Sequence, residues 1–516
     1  MKQLYRIVIS DYLQRTRSYA FLITLAISLY AAYAFVPAAG ANYTTLRVGN
    51  YIGIQNAAWI GYVTAMMGSI FISMIGFYLV NSNIKKDMDT GVGMIVATTR
   101  ISNFNYLLTK MLSNFLVLLS ITGCVFFMGI LMFFIRGAGY PFNIIHFILP
   151  YLLITIPAVF FIAALAVVAE VFLYRFTILM NIGFYVFFCL MIAVQANTLT
   201  LFDLFGFHQV TVTLQNLVAQ RTPGIHQAMS MGFQFGDKRV LKTFLFEGII
   251  WSQTAIISRI VLMSLGVVLV YISSLFFHRF DVKERVNIKK KTNVSNPMAP
   301  AMRLRDIKLS ELPAIKTSYG IFPFIKTELL MLYRKGPRWL WFINLGGMAA
   351  LFFTPLTIAH QIILPLLWFL QVARLSDIAT KEKTNRIHYF TFAAYKPLTR
   401  LLPAQILAGI LLAWALASPL MVRYLFTAQL LPVFMIIAGG IFIVIFAVAL
   451  GILSGGKKLF EILFFLITYA NIEKVPFVDY FGGISLQPSY LLLVFIISLG
   501  LGFIGFFWRK LEMSGM

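Results

Sequence analysis

Charged residues are scarce in this sequence, at 12% of 516 positions, where a soluble domain carries about 25%. Apolar side chains make up 60%, more than a water-soluble fold of this length could hide, so lipid is the natural solvent. Cysteine is almost missing. Cys124 and Cys189 are the two present, each inside an apolar run where a small hydrophobic role is expected, and neither a disulfide framework nor a cysteine metal site follows. Acidic residues are few as well, 18 against 42 lysines and arginines, for a net charge of +24. Such a surplus can mark nucleic-acid binding, but here the basic residues lie between apolar runs and form no single patch.

Chemistry-bearing motifs are equally sparse. A phosphate-binding loop needs G-x-x-x-x-G-K-[ST], and the nearest run, GILSGGKK from Gly451 to Lys458, has Lys458 where Ser or Thr must meet magnesium. None of the six histidines pairs with another at i+3 to i+5, so no helical metal motif exists. His146, His208, His226, His278, His360 and His388 read as surface or interfacial residues. Glu170 and Glu461 lie near the ends of apolar runs, with Arg175 and Lys457/Lys458 close enough in sequence to form structural ion pairs. Without a chain of central carboxylates or histidines, proton coupling has little support.

A helix needs about 20 apolar residues to cross the hydrocarbon. Runs of that character fall near 19–37, 58–80, 111–135, 146–172, 177–194 and 257–277, then near 339–356, 358–373, 402–421, 429–452, 459–472 and 488–507. The expected fold is an all-α integral membrane protein of about twelve transmembrane helices in two six-helix bundles. The first run follows a basic segment and precedes Ala39-Gly40-Ala41, as in a signal peptide, but its near-bilayer length predicts a retained span. With both termini cytoplasmic, about 33 of the 42 basic residues fall on the inner side and about nine outside, a topogenic bias that also disposes of nucleic acid as a partner.

The halves occupy 1–285 and 321–516, joined by a cytoplasmic linker at 286–320 that contains Lys289-Lys290-Lys291 and a Pro- and Asn-rich stretch. Each half opens on an amphipathic segment, 2–17 and 322–338, suited to lie in the headgroup region as an N-terminal interfacial helix. After the second run of each half comes a polar connection, 81–110 and 374–400, too polar to span. This same-order layout is a parallel repeat. One large outer connection, 195–256, ends in Thr243 to Trp251, which reads as interfacial helices capping the outer face.

Several stretches together resemble the type-2 ABC transporter permease family, in the long bacterial form with two fused six-span halves. They are DTGVGMIVATTRISNFNYLLTK (Asp89 to Lys110), FLFEGIIWSQ (Phe244 to Gln253), FFHRFD (Phe276 to Asp281), KTELLMLYRKGPRWLWF (Lys326 to Phe342), LGILSGGKKLFEILFF (Leu450 to Phe465) and VPFVDYFGG (Val475 to Gly483). The resemblance covers nearly the whole chain through the order and spacing of these runs. It implies a permease subunit of the bacterial inner membrane, an exporter and not itself an enzyme. ATP and magnesium would sit on a separate, dimeric cytosolic ATP-binding-cassette ATPase, with no cofactor in this chain and membrane lipid around it. Carried over by position, the surfaces coupled to that ATPase would include Asp89, Gly91, Val92, Gly93 and Thr98 in the first half, and Glu382, Thr384, Asn385 and Arg386 in the second. The second set lacks the D-x-G-x-G run of the first. The rival readings are an ion-coupled secondary carrier and a membrane-embedded lipid-modifying enzyme. Nothing in the apolar runs selects a substrate.

Overall fold

A computed structural model describes residues 2–38, 41–173, 176–195, 203–221, 228–235, 241–277, 320–336, 338–472, 478–484 and 486–514. The Ala39-Gly40 part of the signal-like site, Arg175, His226, His278 and nearly all of the 286–320 linker lie outside these residues. In chain order the first half contains α1 (Lys2–Thr16), α2 (Tyr19–Phe35), β1 (Tyr43–Val48), β2 (Tyr51–Gly53), α3 (Ala57–Val80), α4 (Asn83–Asp89), α5 (Val92–Thr98) and α6 (Asn103–Arg136). It continues through α7 (Ile145–Leu173), α8 (Thr177–Gln195), α9 (Phe207–Ala219), β3 (Met229–Phe235), β4 (Lys242–Phe244) and α10 (Gln253–Phe276). The second half begins with α11 (Phe322–Arg334), α12 (Trp339–Phe353) and α13 (Leu356–Phe369). Three short helices follow: α14 (Val372–Leu375), α15 (Lys381–Thr384) and α16 (His388–Phe392). It closes with α17 (Pro397–Phe426), α18 (Leu430–Ser454), α19 (Lys458–Ile472) and α20 (Pro488–Ser514).

The apolar runs are helical because lipid offers backbone groups no partner, so each segment must bond to itself. Four helices start on a side-chain cap: Ser18, Asn56, Ser102 and Ser252 accept from the amides of Phe21, Trp59, Asn105 and Ala255. Among the described residues seven helices are long and apolar enough to cross a membrane, namely α3, α6, α7, α10, α17, α18 and α20. An eighth arises if α1 and α2, bent by 72° about Arg17-Ser18, count as one span. The chain is therefore a multi-pass helical membrane protein. The other apolar runs form shorter helices, with α2 at 17 residues and α12 and α19 at 15 each. Pro355 separates α12 from α13, which is why one long apolar stretch yields two short helices.

α3 is buried over nearly its whole length, among α2, α6, α7 and α19. Small residues set how closely these helices approach. A Cβ on Gly61 would lie 2.1 Å from the His146 carbonyl oxygen, so α3 and the start of α7 touch backbone to backbone. Far apart in sequence, α19 lies against α3, with Phe465 4.6 Å from Tyr78 and 4.7 Å from Tyr185 between ring centres.

The large connection differs from the interfacial helices expected of Thr243 to Trp251. Residues 245–252 are not helical, and the connection supplies two strands to a four-stranded sheet of order β3-β1-β2-β4. β1 pairs antiparallel with β2 and with β3, where Tyr43 faces Phe235 and Val48 faces Met229, while β2 runs parallel to β4. The β1–β2 turn has two residues and places Gly49 at φ +56°, open to glycine at no steric cost. Aromatic packing explains the preference for extended chain: Phe244 and Phe246 both meet the Trp59 ring edge-on, at 5.6 and 6.0 Å. Asn56 donates to the Phe246 carbonyl at 2.6 Å, and the Trp251 indole N–H donates to the Tyr62 hydroxyl at 3.0 Å. The sheet thereby seals the end of α3.

Candidate functional site

The helix ends that carry most lysines and arginines meet at one end of the bundle, where the 81–102 and 370–396 connections lie. In the first connection α4 begins on Ser82, which sits in the left-handed region at φ +71° and makes no side-chain cap. The missing cap comes from the far end of α7. Glu170, 2% exposed, accepts from the Asn83 amide at 3.0 Å and the Ile84 amide at 2.7 Å. Its expected partner Arg175 lies outside the described residues, and the role observed for Glu170 is that of a helix cap. Asp87 on α4 meets Lys110 of α6 at 2.7 Å, Lys110 also meets Asp11 of α1 at 2.7 Å, and the Tyr106 hydroxyl donates to Asp87 at 2.7 Å. α1, α4 and α6 are thus tied by one buried lysine.

Between α4 and α5 the chain turns at Gly91, φ +77°, a conformation that L side chains rarely adopt. Gly93 is buried against the body, whereas Val92, Met94 and Ile95 project outward, Ile95 with 68% of its surface exposed. Thr98 is exposed and its hydroxyl donates to the Ile95 carbonyl at 2.7 Å. Asp89 is the last residue of α4, and its side chain lies outside what the structure describes.

The second connection is anchored by charge of the same kind but different wiring. Glu328 of α11 pairs with Lys381, Asp377 receives Lys335 and, at 2.8 Å, Lys457, and Glu512 of α20 pairs with Lys383. Burial raises the Asp377 carboxyl, but Lys335 and Lys457 outweigh it and hold the group below the ordinary carboxylate range. Glu461 accepts from the Ser376 hydroxyl at 3.2 Å. Of the residues placed here by resemblance, Thr384, Asn385 and Arg386 are exposed, and Arg386 is held at φ +57°. Glu382 turns inward at 2% exposure and accepts from the Gln405 amide at 2.6 Å. Burial raises its carboxyl, with Lys381, Arg509 and Gln405 pulling in the other direction. What this connection offers to solvent is apolar instead: Ile387, Tyr389, Phe390 and Tyr395 around α16, with Phe390 81% exposed.

Helices from the first and the last part of the chain meet beside these connections. Lys458, read from sequence as part of a basic turn, reaches across from α19 to donate to the carbonyls of Leu79 (3.3 Å) and Asn81 at the end of α3. It satisfies orphan carbonyls of a helix that leads straight into α4.

At the opposite end a correspondence appears that the sequence reading missed. Asp203-Leu204-Phe205-Gly206 and Asp479-Tyr480-Phe481-Gly482 both follow the fifth apolar run of their half. Gly206 and Gly482 share φ +76°. Asp203 accepts from the amides of Gly206, Phe207 and His208, and Asp479 from those of Phe481, Gly483 and Ile484. Repeated D-x-F-G letters at matching places were the available signal. His360, expected at a surface, is buried instead within α13. Its ring lies 3.0 Å from both the Tyr424 hydroxyl and the Phe481 carbonyl, which accounts for a histidine in an apolar helix.

Among the described residues no group of three or more His, Cys, Asp or Glu side chains is placed to hold a metal ion. Compared with family models, with curated proteins and with solved structures, the chain finds no match.

Proposed function

We propose that this chain is the membrane-spanning permease of an ATP-driven exporter, with twelve helices in two bundles and with the 81–102 and 370–396 connections docking a cytosolic ATP-binding-cassette ATPase. The observation that carries the reading is the pair of short helices at the basic end. α5 presents Val92, Met94 and Ile95, and α16 presents Tyr389 and Phe390 beside Ile387. Exposed apolar clusters of this kind, rimmed by charge and held on anchored elements, are what a partner protein covers. The repeated Asp-x-Phe-Gly turn at the other end supports two related halves.

The short helix before each docking helix is tied by ion pairs to helices of the bundle, α4 through Asp87–Lys110–Asp11 and α15 through Lys381–Glu328 and Lys383–Glu512. Closure of a dimeric ATPase beneath them would move both connections and bias one packing of the halves over another, the differential contact that any such switch needs. The test uses the purified full chain together with an ATP-binding-cassette ATPase from the same cell, sought first among the neighbouring reading frames. Alone, the chain should hydrolyse no ATP. With the ATPase, Ile95→Cys and Phe390→Cys should cross-link to it, and replacing residues 89–93 by a flexible linker should abolish ATP-dependent transport while membrane insertion stays intact. Transport that continues without ATP on an ion gradient alone would overturn the proposal in favour of a secondary carrier.

A further inference from the structure

An apolar groove of about 330 Å³ runs between α17, α18 and α20, lined by Leu402 and Ile406, Val448 and Ala449, and Gly502 and Gly505. Glycine opens it. On α20 the positions 502, 505, 509 and 513 follow one another at steps of three and four residues and so share a face. The first two line the groove, and Arg509 and Met513 line a second, adjoining recess. On α17 the sequence Leu398, Leu402, Ile406 makes the same passage from recess to groove, Leu402 belonging to both. The recess is small, about 10 Å³, and Glu382, Gln405 and Arg509 line it.

Two features of the recess ask for a ligand. Glu382 and Arg509 are 2% and 4% exposed. Glu382 spends Oε1 on Gln405, and its Oε2 is buried without a hydrogen-bond partner, which is unfavourable for a charged group. Arg509 donates to the Ala379 carbonyl at 2.6 Å and stands 3.5 Å from Glu512, with its guanidinium 4.9 Å above the Phe392 ring. A carboxylate short of a donor therefore sits beside a buried cation at the head of an apolar track. From position 502 to 513 the track is about 16 Å long at 1.5 Å per residue, roughly half of the ~30 Å hydrocarbon core.

We infer that the groove and recess together bind one phospholipid with a primary-amine headgroup, phosphatidylethanolamine, from the leaflet at the basic end of the bundle. One acyl chain lies along Leu402, Ile406, Val448 and Gly502, the phosphate faces Arg509, and the ammonium donates to Glu382 Oε2. The headgroup choice follows from charge and from size. A recess with one carboxylate and one guanidinium complements a zwitterion, and room for about one water-sized group admits –NH3+ but not a trimethylammonium, which also has no N–H to give. Glu382 thereby acquires a role distinct from contact with a partner protein, and the inference does not depend on the transport reading.

The test is native mass spectrometry of the full chain in detergent, offered an equimolar mixture of phosphatidylethanolamine, phosphatidylcholine and phosphatidylglycerol. The wild type should retain phosphatidylethanolamine over the other two by on the order of tenfold, the ratio one good polar contact supplies. Glu382→Gln should bring the three to parity. Gly502→Leu should lower retention of all three, since a Cβ there meets only the Ile445 methyl at 3.6 Å and the rest of the side chain enters the groove. Leu407→Trp, which fills the groove from α17, serves as the second variant should Gly502→Leu fail to fold. Equal retention of the three lipids by the wild type, a preference for phosphatidylglycerol, or a phosphatidylethanolamine preference that survives Glu382→Gln would each overturn the assignment.

Discussion

Replacing Glu170 by Gln is the sharpest probe of how the first connection is held. The carboxylate caps α4 through the Asn83 and Ile84 amides, since Ser82 provides no side-chain cap. Gln keeps one acceptor and turns the other into an amino group that faces an N–H, so one charge-assisted bond is lost. That bond contributes about 1.5–3 kcal/mol, and the lost negative charge at a helix N-terminus removes about 0.5 kcal/mol more. A net loss of about 2–3.5 kcal/mol corresponds to a ~30- to 400-fold rise in local opening. Hydrogen exchange on the purified protein reads this directly: amides of 83–98 should exchange faster by about that factor, while the core of α6 stays protected. Unchanged exchange across 83–98 would refute the cap, and so would an equal acceleration everywhere, which would mean general destabilisation.

Lys458→Met removes the donor to the Leu79 and Asn81 carbonyls and should destabilise the joint between the halves by about 1–3 kcal/mol, seen as a lower melting temperature; an unchanged melting curve would count against the bridge. Asp203→Asn and Asp479→Asn each leave at least one backbone amide of the turn without its acceptor, so exchange should accelerate in 203–208 and 478–484 respectively, and an effect at one turn but not the other would argue against their equivalence. Asp377→Asn leaves Lys335 and Lys457 facing each other; as both lysines are about a third exposed, the loss should be only ~1 kcal/mol. Because the folded carboxyl titrates below its ordinary 3.8, its stabilisation is complete above that value and fades as pH falls through the lower folded value. The Asn variant should therefore lack that part of the acid-induced loss in a pH series of melting temperatures.

The helical, lipid-solvated class was legible because long apolar runs leave no other solution, and the runs at 58–80, 111–135 and 488–507 fall inside long helices. How many runs cross the membrane is less legible: Pro355 divides 339–373 into helices of limited length, a break that composition averages over. The sheet was hidden for another reason. β2 and β4 are three residues each, too short for alternation to register, and their conformation is decided by Trp59 packing against Phe244 and Phe246 from almost 190 positions away. The cap that Glu170 gives α4 was not legible either, because Asn83 and Ile84 lie almost 90 positions away in the chain. At the connections, the outward Val92 falls within the D-x-G-x-G run singled out by resemblance, and the more exposed Ile95 lies two residues past its end. In the second connection the resemblance pointed to Glu382, which is buried, and to Thr384, Asn385 and Arg386, which are exposed, while the exposed Phe390 lies a few positions further on.

On the proposed reading α5 and α16 face the same compartment, the one on the basic side. In a chain with Cys124 and Cys189 replaced by Ser, Ile95→Cys and Phe390→Cys can be challenged separately with a membrane-impermeant maleimide, beside Asn50→Cys at the sheet turn. The account requires positions 95 and 390 to label in inside-out vesicles and not in intact cells, and position 50 to do the reverse. Labelling of 95 and 390 from opposite sides of the membrane would contradict it.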